Sequence, residues 1–320
     1  MNTKTPAVNS AERLPDRSQS KWTKIKKSLR KNVWLYAFVL PAIAWYILFC
    51  YLPMGGIYMA FTRYKGVGSY WDAKFVGLKW FESFFSSAYA KTTIGNTLTL
   101  SLYSMATFPI PIFIALLFNE IKNEKFKKTT QTIMYAPHFV SLVVMVTMMK
   151  LFFANNGLVN NVIDALGGDR IPFMTSISAY PHMFIWSGVW QGLGWNTIIY
   201  VAALSAVDPG LHEAATLDGA SRIQRIIHIN LPTIAPTIII TLIMRVGSLM
   251  NVSTDKGILM KNDLNIAAAE TIGTFVYSRG LLSGDLSYST AVGLFTNVVN
   301  VILLLSVNWI SAKVSDTSLF

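Results

Sequence analysis

The chain has 320 residues, of which 52% are hydrophobic and only 13% are charged. Soluble domains usually carry about 25% charged residues, so the composition excludes an ordinary globular protein and predicts an integral membrane protein. The formal net charge of +11 would suit nucleic acid, but the Lys and Arg residues are concentrated beside the first apolar run, as is typical of membrane topology. We therefore expect a lipid bilayer, and no nucleic acid, among its partners.

Segment 1–32 is polar and basic, and it is too long for the charged start of a cleaved signal peptide. About 20 apolar residues cross the hydrocarbon core as a helix, and region 33–310 holds six such runs. We therefore predict an all-α integral membrane fold, with a basic cytoplasmic tail at 1–32, a six-helix transmembrane domain at 33–310 and a cytoplasmic end at 311–320. The six predicted spans are 33–61, 92–118, 131–153, 180–206, 233–251 and 288–310.

The Lys and Arg residues also predict the orientation, because they accumulate on the cytoplasmic side of a membrane protein. They are more abundant in the tail, in connections 119–130 and 207–231 and at the C-terminal end than in the three remaining connections. An even number of spans places both termini on one side. Both termini and the 207–231 connection are therefore expected to face the cytoplasm.

The loop 207–232 is polar, although apolar spans lie on either side of it. Asp208 followed by Pro209 predicts a helix N-cap with proline at the first helical position. Glu213 is expected near the start of this helix, at the positive end of the helix dipole. The loop is therefore predicted to begin with a short helix.

Gly219 is expected to end that helix, because glycine tolerates the left-handed turn that other residues resist. Ser221 then predicts the cap of a second short helix, and Pro232 is expected to break the chain again where it enters the fifth span. The product is a compact helix–turn–helix on the cytoplasmic side. It could enter a groove on another protein or pack against its own subunit.

The same loop reads Glu-Ala-Ala, three residues, Gly, nine residues, Ile, one residue and Leu-Pro. This pattern resembles the cytoplasmic signature of permease subunits of binding-protein-dependent ABC importers. The resemblance covers roughly residues 30–315, and it implies the type I ABC importer permease architecture, in which the loop is a coupling helix that docks on a separate ATPase. The residues to which it assigns coupling are Glu213, Ala214, Ala215, Leu217, Asp218, Gly219, Leu231 and Pro232.

The resemblance also implies the partners and the location. The partners are a second permease, forming a heterodimer, two copies of an ATP-binding subunit that hold ATP and Mg, and an extracytoplasmic solute-binding protein. The location is the bacterial cytoplasmic (inner) membrane. The chain has no G-x-x-x-x-G-K-[ST] phosphate loop, no H-E-x-x-H pair and no G-x-S-x-G elbow, so we expect no catalytic, cofactor-binding or metal-binding residue in it. A self-sufficient channel or secondary transporter is the alternative class.

Segments 277–281 (YSRGL) and 288–295 (YSTAVGLF) look most like a sugar-importer branch that takes up oligosaccharides or polysaccharides, the bacterial alginate importer among them. Many sugar permeases have a Thr-Gly-Gly-Pro-like loop after the fifth span, where this chain has STDKG at 253–257. The departure argues against an ordinary mono- or disaccharide and favours the polysaccharide branch. An ABC permease for another solute is the alternative.

Polar residues inside spans are candidates for the substrate path. Arg245 lies about 13 residues, or roughly 20 Å, into the fifth span, where a cation would suit an acidic sugar such as a uronate or would bond within the bundle. Aromatic rings and amides in the fourth and sixth spans could bind sugar, or could anchor and pack the helices. The candidates are Arg245, Trp186, Gln191, Trp195, Asn196, Asn297 and Asn300.

Overall fold

The computed structural model describes residues 31–315 and 317–319. Most of the predicted tail, residues 1–30, therefore lies outside the described residues. The described part is mostly helical, with a single two-stranded β-pair, which confirms the all-α prediction. The chain divides into two compact units, Met1–Gly56 and Ile57–Phe320, which are taken in turn.

The first unit holds most of α1 (Val33–Phe61), a continuous helix of 29 residues. Its backbone changes from an α-helix at Val33–Tyr46 to a π turn at Ile47–Tyr51 and a 3-10 segment at Leu52–Phe61. No residue of Val33–Tyr46 is buried, although this stretch is apolar on every side. Apolar side chains that point outward all around a helix are stable in lipid and not in water.

The second unit contains the small β-pair and the other helices. The antiparallel pair joins β1 (Thr62–Arg63) to β2 (Lys74–Phe75). The helices, in chain order, are α2 (Lys79–Phe85), α3 (Ala88–Ala106), α4 (Pro109–Glu120), α5 (Glu124–Tyr135), α6 (Leu142–Phe152), α7 (Leu158–Ala165), α8 (Ala179–Leu204), α9 (Pro209–Leu217), α10 (Arg222–Gly247), α11 (Thr254–Met260), α12 (Ile266–Ala269), α13 (Ile272–Tyr277) and α14 (Leu286–Ser315).

Three buried apolar clusters hold this unit together. The first, around Leu100 and Tyr180, joins α3, α6 and α8. The second, around Phe84 and Val292, joins α2 and α14, and the third, around Ile234, joins α10 to α4 and α8. Because lipid is as apolar as these side chains, the stabilisation comes from close packing more than from removal of water. α8 accordingly lies along α4, and α10 lies along α14.

Four described helices are long and apolar enough to cross a membrane: α1, Ala88–Glu120 (α3 with α4), α10 and α14. A bent pair, α5 with α6, would be a fifth span. The predicted fourth span coincides with α8, an unbroken helix of 26 residues, about 39 Å long at 1.5 Å per residue, which is not among these candidate spans. Its length would suffice to span, but its Trp, Gln and Asn residues lower its hydropathy.

The third predicted span, 131–153, is not one continuous helix. The helical stretch Glu124–Phe139 meets α6 at an angle of 95°. Pro137 lies in the 3-10 turn at the bend, and a proline removes a backbone donor and disfavours continued helix. Ser141 then starts a new helix by accepting a hydrogen bond from the Val144 amide, with a nitrogen-to-oxygen distance of 3.3 Å.

The predictions of a separate second short helix and of a break at Pro232 are wrong. The helix that Ser221 caps continues without interruption as α10, from Arg222 to Gly247. A π turn at Ile226–Asn230 immediately precedes Pro232. The wider turn relieves the clash between a proline ring and the preceding carbonyl groups, so the chain stays helical. The loop at 207–232 is therefore one short helix joined to a long one.

Gly194 provides a test of the packing between α8 and α5. A Cβ atom added at Gly194 would lie 2.1 Å from the Met134 carbonyl oxygen, whereas one added at Gly95 would have no heavy atom within 4 Å. We expect Gly194→Ala to lower the unfolding temperature in detergent. Gly95→Ala should preserve or raise it, because alanine favours a helix over glycine by about 1 kcal/mol.

The measurement is thermal unfolding of both variants, followed by fluorescence-detected size-exclusion chromatography. Equal unfolding temperatures for Gly194→Ala and Gly95→Ala would contradict the close approach of α8 to α5.

Candidate functional site

Helix α9 begins as its sequence predicts. Asp208 accepts a hydrogen bond from the Gly210 amide at 2.8 Å, and Pro209 occupies the first helical position. The prediction that Glu213 lies near the start of the helix is wrong, because it is the fifth of nine residues. Asp208 already satisfies one free amide of the first turn, that of Gly210. Glu213 is exposed, so its carboxylate is available to a partner.

The turn after α9 is held by its backbone. Gly219 has a φ of +77°, which confirms the predicted left-handed conformation. The Ala220 amide donates to the Ala215 carbonyl at 2.9 Å, and the Gly219 amide donates to the Thr216 carbonyl at 3.1 Å. These two bonds form a Schellman motif, which satisfies carbonyl groups at the end of a helix.

The start of α10 is tied down equally firmly. Ser221 and Gln224 form a capping box, in which the Ser221 amide donates to the Gln224 side chain at 2.7 Å. The Arg225 guanidinium also donates to the Thr216 hydroxyl and so bridges α10 to α9. Sequence alone indicated the Ser221 cap but not its reciprocal partner. The result is a stiff connection between the short helix and the long one.

The outer face of α9 carries apolar side chains that the described chain leaves uncovered. Leu217 is 89% exposed and Leu211 is 51% exposed. Ala214 is exposed beside Glu213, and its small side chain permits close approach. Exposed apolar residues around a charged one, beside the end of a membrane helix, are typical of a protein contact surface. We call residues 209–219 the coupling surface.

Leu231 and Pro232 lie outside this surface. Both belong to the part of α10 that follows the π turn. Leu231 packs against the third apolar cluster, next to Ile234. The structure therefore places the Glu-Ala-Ala part of the motif on the exposed helix α9. It places the Leu-Pro part on α10, where α10 packs into the bundle.

A polar cavity of about 350 Å³ lies among α3, α4, α8 and α10 and the irregular segment that follows α10. Three of the predicted path residues line it, namely Gln191, Asn196 and Arg245. The other polar residues of its wall are Ser101, Ser104, Thr107, Ser248, Asn251, Ser253 and Lys256. The structure therefore brings hydroxyls, amides and two cations together around one space.

Arg245 is held across the cavity wall by α3. Its Nη2 atom donates to the Ser104 carbonyl at 2.9 Å and to the Ser104 hydroxyl at 2.8 Å. The guanidinium carbon also lies 6.0 Å from the centre of the Phe108 ring. These acceptors are neutral, so the positive charge of Arg245 is oriented but not cancelled.

Lys256 is the charged cavity residue that sequence reasoning missed. It is only 5% exposed, and its Nζ atom donates to the Phe184 carbonyl at 2.6 Å. Burial lowers the pKa of Lys256 to about 8, so the side chain still carries its charge at neutral pH. The available signal was the departure at 253–257, where a lysine stands in place of the uncharged loop typical of sugar permeases.

The two predicted tryptophans do not line the polar cavity. The Trp186 indole nitrogen donates to the Tyr103 hydroxyl at 2.8 Å. The Trp195 ring stacks on His138, with ring centres 4.4 Å apart and an interplanar angle of 5°. Both indoles are about half exposed. Their contacts agree with the anchoring and packing alternative, in which aromatic rings fix helices at a membrane interface.

The two predicted asparagines of α14 lie in different environments. Asn300 is buried, accepts a hydrogen bond from the Met250 amide at 2.9 Å and donates to the Asn251 side chain at 3.0 Å. Asn297 is exposed and lines a second cavity of about 260 Å³. Asn300 therefore bonds the end of α10 to α14, while Asn297 has an open space in front of it.

Comparison with known proteins points to one family. Residues 107–316 match the family described as "binding-protein-dependent transport system inner membrane component". Protein LplB of Bacillus subtilis (strain 168) is 39% identical over 295 residues, which cover 92% of this chain and 93% of that protein. The polygalacturonan/rhamnogalacturonan transport system permease protein YteP of the same organism is 37% identical over 305 residues, covering 92% and 95%.

Solved structures agree with the fold. One solved chain belongs to a bacterial ABC transporter involved in the import of the acidic polysaccharide alginate. It is 35% identical to this chain, with a TM-score of 0.85, and the match covers 91% of this chain and 99% of that chain. A chain of the bacterial alginate ABC transporter in complex with alginate pentasaccharide-bound periplasmic protein is also 35% identical, with a TM-score of 0.86 and coverage of 92% and 100%. The predicted permease architecture is therefore confirmed.

The contrast between Asn300 and Asn297 can be tested. Asn300→Leu keeps the size of the side chain but leaves the Met250 amide without its acceptor, and an unsatisfied buried amide costs about 1–3 kcal/mol. We expect Asn300→Leu to lower the unfolding temperature in detergent, whereas Asn297→Leu should leave it unchanged. Equal losses in the two variants would show that the hydrogen bond to Met250 does not hold α10 to α14.

Proposed function

The chain belongs to the family of binding-protein-dependent transport system inner membrane components, and on this premise we propose that it is one membrane subunit of an ATP-driven importer of an oligosaccharide or polysaccharide. A second, different permease subunit completes the translocation path. Two copies of an ATP-binding subunit hydrolyse ATP, and an extracytoplasmic binding protein delivers the sugar. The importer lies in the bacterial cytoplasmic membrane, with both termini of this chain in the cytoplasm.

The sugar cargo is supported by two of the similar proteins and by the cavity. YteP is named as a permease for polygalacturonan and rhamnogalacturonan, and the matching structures are those of alginate transporters. The polar cavity offers the hydroxyl and amide groups that bond sugar hydroxyls, among them Gln191, Asn196 and Ser253. A polar cavity of this kind within the helices of a membrane protein is typical of a solute path.

The single observation that carries the transport mechanism is the rigid attachment of the coupling surface to α10. The Schellman motif at Gly219, the capping box at Ser221 and the Arg225 contact with Thr216 leave little freedom between α9 and α10. A movement of α9 is therefore transmitted along α10, which reaches the polar cavity through Arg245. A loose connection would dissipate such a movement.

The proposed cycle uses ATP at a distance from the sugar. ATP binding closes the two ATPase subunits and draws the coupling helices of the two permeases together. The paired permeases then open outward and accept the sugar from the binding protein, and hydrolysis resets them to face inward. In this chain Glu213 pairs with an ATPase cation, while Leu211, Ala214 and Leu217 enter an apolar cleft of the ATPase.

The proposal is tested by purifying the tagged chain from its native membrane in mild detergent. An ATPase subunit and a second permease are expected to co-purify. After reconstitution of the complex in nanodiscs, the sugar-loaded binding protein should stimulate ATP hydrolysis by the ATPase subunits. Purification of the chain without any ATPase subunit, together with sugar uptake in vesicles that lack ATP, would contradict it and favour a self-sufficient transporter.

The stiff turn makes a sharper prediction. Gly219→Val forces a β-branched residue into the left-handed conformation, at a cost of about 1–2 kcal/mol. We expect the variant to insert in the membrane and to keep its unfolding temperature within a few degrees. Its binding-protein-stimulated ATP hydrolysis and its sugar uptake should each fall at least about tenfold, because α9 is displaced from the ATPase.

Gly167→Val is the matched control. Gly167 has a φ of +82°, and, as at Gly219, an added Cβ atom would have no heavy atom within 4 Å. The backbone strain is therefore similar, but Gly167 lies after α7 and far along the chain from the coupling surface. Similar losses of transport in Gly219→Val and Gly167→Val would refute a specific role of the turn at Gly219 in coupling.

A further inference from the structure

The charges around the polar cavity are of one sign. Its wall contains two cationic side chains, Arg245 and Lys256, and no carboxylate among the described residues that line it. The remaining polar groups of the wall are hydroxyls and amides, which are neutral. The cavity is therefore positively charged, inside a region of low dielectric where charges interact strongly.

Neither cation forms an ion pair in the described part of the chain. The three ion pairs found there are Arg170 with Asp164, Lys261 with Glu270 and Arg279 with Asp285. A buried charge without a counter-charge is costly, and proteins usually pair such charges or remove them. Two uncompensated cations in one cavity therefore indicate a function that needs positive charge there.

The surroundings of Lys256 hold its ammonium at the cavity wall. The Nζ atom lies 4.8 Å from the centre of the Phe184 ring as well as bonding the Phe184 carbonyl. Gly188 leaves room for it, because an added Cβ atom at that position would lie 3.2 Å from Nζ. An ammonium has three donors, and the Phe184 carbonyl accepts one hydrogen bond from it. The side chain is thus fixed in place with donors left for a ligand.

Arg245 is fixed in the same way. Its Nη2 atom uses Ser104 as acceptor for two hydrogen bonds, and a guanidinium has five N–H donors in a planar fork. The Nη1 and Nε donors remain, and a carboxylate can accept a charge-assisted hydrogen bond from either of them. The wall therefore presents one guanidinium and one ammonium, both oriented by neutral acceptors of the protein.

We propose that Lys256 and Arg245 form a carboxylate-binding subsite of the polar cavity, and that Lys256 is a specificity-determining residue that selects acidic sugars over neutral ones. This inference rests on the proposed importer function and adds to it the chemical class of the cargo. A uronate residue supplies the missing counter-charge as it enters, while the hydroxyls and amides of the wall bond its hydroxyl groups. A neutral sugar leaves both cations uncompensated and gains less from the site.

The test uses the complete importer, with its partner permease, ATPase and binding protein, in proteoliposomes. The cargo is an oligouronate, compared with the same oligosaccharide after reduction of its carboxyl groups. The affinity of the binding protein for each sugar is measured separately, so that both are supplied at saturation. We expect Lys256→Met to lower oligouronate uptake at least tenfold and uptake of the reduced sugar less than twofold. Lys256→Arg, which keeps the charge, should retain most of the oligouronate uptake.

Lys150→Gln is the control for the loss of one positive charge. Lys150 is exposed near the end of α6 and does not line the polar cavity, so its loss should leave uptake of both sugars unchanged. The unfolding temperature of Lys256→Met should not fall, because methionine keeps the apolar stem and removes an uncompensated charge. A fall of several degrees without a change in sugar preference would assign Lys256 to packing and overturn the subsite.

The remaining outcomes are also decisive. Equal loss of uptake for both sugars in Lys256→Met, or no loss for either, would overturn the subsite. If the reduced sugar does not load on the binding protein, the two Lys256 variants are compared on the oligouronate alone. Equal uptake by Lys256→Arg and Lys256→Met would overturn the subsite. Uptake that only Lys256→Arg retains would support it. If no sugar stimulates the ATPase of the unaltered complex, the proposed importer function itself fails.

Discussion

The hydrocarbon core of a membrane provides no water for backbone polar groups, so a helix that is interrupted inside the bundle must find its hydrogen bonds within the protein. α10 ends at Gly247, and the chain then runs without regular structure. There the Ser101 hydroxyl donates to the Leu249 carbonyl, and the Asn300 side chain accepts from the Met250 amide. At the bend before α6, the Gln191 side chain donates to the Val140 carbonyl at 2.7 Å.

The side chains that bond this irregular backbone also form the polar cavity. Irregular backbone at membrane depth is tolerated where it is buried in protein or lines a cavity, and Leu249 and Ser253 belong to the cavity wall. Ser101 and Gln191 both donate hydrogen bonds to irregular backbone and line the cavity. The polar groups that make the fold possible are thus the ones that line the cavity proposed for the sugar. This space is a consequence of ending α10 early, inside the bundle.

One long helix connects this space to the coupling surface. α10 has 26 residues, about 39 Å at 1.5 Å per residue, and it begins at the Ser221 cap and carries Arg245 in its last turn. Its π turn at Ile226–Asn230 lies near the Ser221 end, just before Pro232. Because the helix stays unbroken there, the proposed cycle moves the coupling surface and the cavity wall together as a single body.

Sequence patterns predicted this molecule best where the signal is local. Asp208 and Gly219 have the conformations that their residue types favour, because caps and left-handed turns depend on a few neighbouring residues. The bend at Pro137 and the continuous helix through Pro232 could not be distinguished from sequence, since both are prolines in apolar runs and only the tertiary packing decides. Lys256 was missed for the same reason, because its burial depends on α8, far away in the chain.

The partners of the two cavity cations explain how a charged site can persist in a membrane protein. Arg245 bonds Ser104 and Lys256 bonds the Phe184 carbonyl, so each is stabilised by neutral acceptors. A carboxylate in the wall would have stabilised the cations more, but it would also have cancelled their field and left nothing for an anionic ligand. Neutral acceptors orient the charges and keep the field available. On this reasoning, the absence of acidic residues from the described cavity wall is as much a part of the site as the cations are.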